Sequence, residues 1–104
     1  MNNLFGISEK SYRTIIQTIS SFQDIDKTFL FGSRAKGNYK KGSDIDLAIY
    51  GKNLNQNTWL NLSVVLNEKT TLPYYFDIVA PKMLDNQNLI EHINRIGIVF
   101  YERT

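Results

Sequence analysis

Apolar residues near the start of the chain fall three and four apart, at Tyr12, Ile15, Ile16, Ile19 and Phe22. That spacing places them on one side of a helix over 8–22, and Ser8 stands where a hydroxyl can cap its first turn. The rhythm then changes. KTFLF (27–31) is short, aromatic and closed by Gly32, which predicts a strand. In DIDLAIY (44–50), Ile45, Leu47 and Ile49 alternate with Asp44 and Asp46. Successive side chains of a strand leave opposite faces, so the aliphatic residues share one face and the two aspartates share the other.

A second helix is expected from its cap, Asn57, to about Lys69, with Leu60 and Val64 turned inward beside Trp59 or Leu66, and Pro73 blocks its continuation. YYFDIVA (74–80) is aromatic and β-branched around one charge, Asp77, and Pro81 closes this third strand. Helical spacing returns at Leu89, Ile90, Ile93 and Ile96, within a helix over 87–96 that Gly97 terminates. IVFYE (98–102) predicts a fourth strand. The order helix, strand, short turn or helix, strand, helix, strand, helix, strand predicts an α+β (α/β-like) sheet covered by helices, with at least one parallel pair.

A chain of 104 residues suits a single domain over 1–104. Its 42% hydrophobic and 21% charged residues exclude disordered, collagen-like and coiled-coil classes. Cysteine is absent, so neither a disulfide framework nor a thiolate metal site is available, in keeping with a reducing compartment. The start MNNLFGISEK has no charged stretch followed by an apolar run, and no window of about 18 apolar residues occurs. A soluble cytoplasmic protein, neither exported nor in a membrane, is expected. A net charge of +2 is too small for the basic footprint of a nucleic-acid binder, so no direct nucleic-acid contact is expected. The distribution of charge says more than its sum. Lys27, Arg34, Lys36, Lys40 and Lys41 form a run without an acid, and it ends just before Asp44 and Asp46.

Asp44, Asp46 and Asp77 stand inside, or at the edge of, apolar strands, where an acid is rare unless something partners it. Two carboxylates on one strand face repel each other and need a counter-charge. Hard oxygen donors suit Mg²⁺, which takes one or two carboxylates and completes its shell with water and substrate phosphates. Two such ions about 3.5 to 4 Å apart can clamp the attacking and leaving oxygens of a phosphoryl displacement. For Asp44 alone, a cap or turn role competes with metal binding. Gly32 and Ser33 follow the first strand at a turn where backbone N–H groups and a hydroxyl can hold a phosphate, a simple turn being the competing reading. This is no Walker A loop, because GNYKKGS has Ser43 where that motif requires lysine. His92, Trp59, Tyr74 and Tyr75 read as surface or packing residues.

GSRAKGNYKKGSDID fits the pattern G-S, ten residues, D-x-D, and YYFDIVAP adds a third acid on a later strand. In these residues the chain resembles the minimal nucleotidyltransferases of the DNA polymerase beta superfamily, in particular the antitoxins of HEPN/MNT toxin–antitoxin pairs. The resemblance implies the nucleotidyltransferase fold, a mixed four-stranded sheet flanked by helices. It further implies ATP as nucleotide donor, Mg²⁺ (two ions) held by Asp44, Asp46 and Asp77, and β and γ phosphates held by Gly32 and Ser33. Arg34 and Lys36 add phosphate contacts or lie on the helix surface. Asp77 also helps to activate the acceptor hydroxyl. The implied reaction is transfer of AMP to a tyrosine of a HEPN-domain toxin within a hetero-oligomer. Transfer to a small hydroxylated molecule, or inhibition of the toxin by binding alone, are the alternatives.

Overall fold

Helix α1 (Glu9–Ser20) begins where Ser8 Oγ accepts a hydrogen bond from the Ser11 amide at 3.1 Å, the cap its sequence predicts. The computed structural model describes residues 5–103. Residues 1–4, part of the start that carries no expected export signal, and residue 104 lie outside the described residues. Strand β1 (Lys27–Phe31) runs directly into a short helix, α2 (Gly32–Lys36), which Gly37 ends in the left-handed region at φ 88°. Strand β2 (Ile45–Tyr50), helix α3 (Gln56–Glu68) and strand β3 (Phe76–Val79) follow. The chain closes with the one-turn helix α4 (Pro81–Leu84), helix α5 (Gln87–Ile96) and strand β4 (Ile98–Glu102).

The strands form one mixed four-stranded sheet in the order β3-β2-β1-β4. β1 pairs antiparallel with β2 and with β4, while β2 pairs parallel with β3, as a strand–helix–strand crossover requires. One face carries Leu30, Ile45, Leu47, Ile49, Phe76 and Ile78, and packs against Ile15 and Ile19 of α1 and Leu62 and Leu66 of α3. On the other face Phe31 and Ala48 pack against Ile93 of α5 in a smaller cluster. The alternation along β2 explains both layers: its odd-numbered residues enter the main core and its even-numbered residues face α5. Among the described residues no helix is long and apolar enough to cross a membrane.

Three expectations change. The cap of α3 is Asn55, whose Oδ1 accepts from the Thr58 amide at 3.0 Å, and Asn57 lies inside the helix. Leu60 and Val64 face outward, 46% and 40% exposed, and Thr58, Leu62 and Leu66 form the buried stripe. Both stripes are apolar at helical spacing, and polar contacts choose between them: Trp59 Nε1 donates to Ile78 O at 2.6 Å, and Thr58 Oγ1 donates to Asp24 Oδ2. Finally, Pro81 not only closes the third strand but opens α4 as its first residue, where its missing N–H costs nothing.

Candidate active site

β3 is an edge strand, yet three of its outward backbone groups are met by side chains of α3. Asn67 accepts from the Phe76 amide at 2.7 Å through Oδ1 and donates to Phe76 O at 3.0 Å through Nδ2. Trp59 takes the Ile78 carbonyl. The helix thus stands in for a missing neighbour strand on both sides of Asp77, which holds that residue's backbone in register. Sequence reasoning gave Asn67 no role, because its partner lies across the crossover. Replacing it with leucine leaves a half-buried N–H and C=O without partners; a loss of about 2 kcal/mol is expected in urea unfolding.

The register then brings the acids together. Asp46 is paired with Asp77 on the adjacent parallel strand, and strands so paired lie about 4.8 Å apart. Asp46 also pairs with Phe31, the last residue of β1, so its carboxylate stands beside the start of α2. There Gly32 adopts φ 74°, and a Cβ on it would collide with Asp46 Oδ2. The glycine is therefore required twice, for its backbone conformation and for the space the carboxylate fills. Asp44 sits exposed immediately before β2, and Asp77 is exposed on β3.

The charges of Asp77 and Asp44 both bear on Asp46. The Asp46 carboxyl is pushed up to about 6, first by burial and then by the negative charges of Asp77 and Asp44, with the Arg34 guanidinium pulling the other way. Four functional groups of the sequence reading are thus adjacent: Gly32, Asp44, Asp46 and Asp77. Ser33 follows Gly32 in α2, partly exposed. Lys36 is exposed at the end of that helix. Arg34 is not a helix-surface residue: it is 2% exposed, and its guanidinium donates to the Ser43 and Phe5 carbonyls.

Among the described residues, no group of three or more carboxylate, imidazole or thiol side chains is already drawn together as a cation cage. Three like charges gain nothing by converging without a counter-charge, and Mg²⁺ needs only one or two carboxylates from the protein. Asp46, held at a raised pKa beside two further carboxylates and a glycine-lined space, is the donor set that a hard cation would relieve. The residues fit Mg²⁺.

The structure is thus an α+β domain whose mixed sheet sets Asp46 and Asp77 side by side on adjacent strands, with the Asp46 carboxylate against the Gly32-Ser33 turn. The family it falls in follows from its sequence: the model for "Polymerase beta, Nucleotidyltransferase" matches residues 13–104, and the chain belongs to that family. No curated protein matches it by sequence. Among solved structures it is similar to a toxin–antitoxin with AMP-PNP, at TM-score 0.73 and 21% identity over 89% of this chain and 74% of that one. A mutant of the toxin–antitoxin MntA-HpeT is similar at TM-score 0.70 and 18% identity, over 89% and 74% of the two chains. A protein from Sulfolobus solfataricus described as a nucleotidyltransferase follows at TM-score 0.55 and 20% identity, over 88% and 77%. These likenesses establish the nucleotidyltransferase fold.

Proposed function

We propose that this protein is a Mg²⁺-dependent nucleotidyltransferase that acts in the cytoplasm as an antitoxin, transferring AMP from ATP to a tyrosine of a HEPN-domain toxin with which it forms a hetero-oligomer. The observation that carries the reading is Asp46 itself, packed against Gly32 at the head of α2 and in register with Asp77. Membership of the nucleotidyltransferase family supports the reaction, and fold similarity to toxin–antitoxin structures, one with AMP-PNP and one of MntA-HpeT, supports the donor and the kind of partner.

In this reading Asp44, Asp46 and Asp77 hold Mg²⁺, which when bound neutralises the triphosphate and polarises the α-phosphorus. The Gly32 backbone and Ser33 hydroxyl hold the β and γ phosphates. Asp77 orients the acceptor hydroxyl and draws off its proton as the new O–P bond forms. The bond from the α-phosphorus to the bridging oxygen breaks, and pyrophosphate leaves. Positioning and charge neutralisation supply most of the rate in such a transfer. In this reading the partner protein presents the acceptor hydroxyl.

The test is the intact mass of the product of the neighbouring gene after incubation with this protein, Mg²⁺ and ATP, beside an Asp44→Ala/Asp46→Ala variant. A gain of one or more AMP units, absent with the variant and mapped to tyrosine, is the expected result. A stable complex with no gain would replace transfer by inhibition through binding. Neither gain nor complex would direct the search to small hydroxylated acceptors.

A further inference from the structure

Arg34 is a buried cation that takes part in neither of the close ion pairs among the described residues, Arg13–Glu9 and Lys27–Glu102. Its nitrogens are spent on backbone. Nε and Nη2 both donate to the Ser43 carbonyl, at 3.2 and 2.8 Å, and Nη1 donates to the Phe5 carbonyl at 2.8 Å. The rings of Tyr39 and Tyr74 each lie 5.2 Å from the guanidinium carbon, and the Tyr39 ring packs on Gly6 so closely that no Cβ fits there. Three stretches therefore meet on this one side chain of α2: the residues before α1, the loop over 37–43, and the approach to β3.

Burying a guanidinium whose hydrogen bonds all go to neutral carbonyls costs stability that apolar packing of equal volume would not, and the more distant charge of Asp46 offsets only part of it. What the arrangement gains is position. Ser43 contributes the last peptide before Asp44, and its turn is closed independently by the Ser43 amide on Lys40 O and by the Lys40 amide on Ser43 Oγ. Arg34 itself lies two residues beyond Gly32. The β1–β2 pairing already fixes Asp46 against Phe31, and the Arg34 fork adds a tie from α2 to the peptide that precedes Asp44, across the loop over 37–43.

The geometry points to Arg34 as a positioning residue: it holds Asp44, through the Ser43 peptide, at a set distance from the phosphate-holding turn, and it does not itself touch the triphosphate. The inference rests on the nucleotidyl-transfer reading above. Lysine cannot substitute, because an ammonium is a point charge on a flexible stem, whereas this site needs a planar fork that takes one carbonyl twice, a second carbonyl once, and lies between two rings.

The experiment titrates Mn²⁺ alone, followed by its paramagnetic resonance signal, into the full chain and into Arg34→Lys, with melting temperatures recorded for both. Net charge is the same in the two proteins, so any change reports geometry. Mn²⁺ binding about tenfold weaker in Arg34→Lys is expected, the scale on which a support one step behind the ligands acts. In AMP transfer, kcat falls and KM for ATP stays within about twofold. Unchanged Mn²⁺ binding together with a raised KM for ATP would overturn the inference and make Arg34 a direct phosphate contact. If Arg34→Lys does not fold, Tyr39→Leu, which removes one flanking ring and leaves the guanidinium, carries the same comparison with the same two outcomes. A wild-type chain that binds neither Mn²⁺ nor a non-hydrolysable ATP analogue would overturn the transfer reading, and this inference with it.

Discussion

Asp46→Asn is expected to lose nucleotidyl transfer by about a thousandfold or more while making the metal-free protein melt at a higher temperature at pH 8. The two effects have one cause. Asparagine keeps the volume of the side chain, so no cavity opens beneath it, but it removes the negative charge that a cation requires. That same charge is a burden to the empty fold, because burial and the neighbouring Asp77 and Asp44 push the Asp46 carboxyl up to about 6. A carboxyl whose pKa rises on folding holds its proton more tightly in the folded chain than in the unfolded one. Its contribution to stability is therefore full below about pH 4, where an unfolded aspartate titrates, and is lost as the pH climbs through about 6. The wild-type and Asp46→Asn proteins should melt alike near pH 4 and separate above pH 6, with the variant ahead. Mg²⁺ should close that gap by raising the wild type and leaving the variant unmoved. Calorimetry at pH 4, 6 and 8, with and without Mg²⁺, makes the comparison. A variant that melts lower than wild type at pH 8 would give Asp46 a structural role in place of a catalytic one.

Gly32→Ala should lose activity by the opposite route, with a loss of stability. At φ 74° an alanine pays about 1 to 2 kcal/mol in backbone strain. Its Cβ also enters the space of Asp46 Oδ2, so the carboxylate must rotate away from the position it shares with Asp77. The strain is local to residue 32, but the collision involves both residues, and a double-mutant cycle separates them. In an Asp46→Ala background the collision disappears and only the strain remains. Gly32→Ala should therefore cost measurably less stability there than in the wild type, by urea denaturation at pH 4, where Asp46 is protonated and the charge effect is absent. Equal costs in the two backgrounds would mean that the carboxylate does not rest against the glycine. Together the two substitutions separate charge from space at one site: both abolish transfer, and their effects on melting at pH 8 have opposite signs.

Much of this site was legible in the order of residues. Ser8 announces α1, the aromatic run before Gly32 announces β1, and the strict alternation of β2 places Asp46 on the face away from Ile45, Leu47 and Ile49, although the strand begins at Ile45, one residue after the expected Asp44. The Gly-Ser pair ten residues before the aspartates gave the resemblance, and the family model matches residues 13–104 around it. The failures have a common form. α3 has apolar residues on two sides, and the side that faces the sheet is selected by Trp59 and Asn67 bonding to a strand that comes later in the chain. Arg34 looks like any basic residue of an exposed loop until Ser43, Phe5, Tyr39 and Tyr74 are seen around it.

The direction in which a side chain leaves its own strand or helix depends on backbone geometry within a few residues, so the sequence by itself determined which residues share a face and which acids point together. The rotation of a helix against a sheet, the register that sets Asp77 beside Asp46, and the burial of the Arg34 guanidinium depend on contacts between segments far apart in the chain. Those contacts compete with alternatives of nearly equal local energy, such as Leu60 and Val64 against Leu62 and Leu66. Only the packed structure, where every buried polar group must find its partner, decides among them.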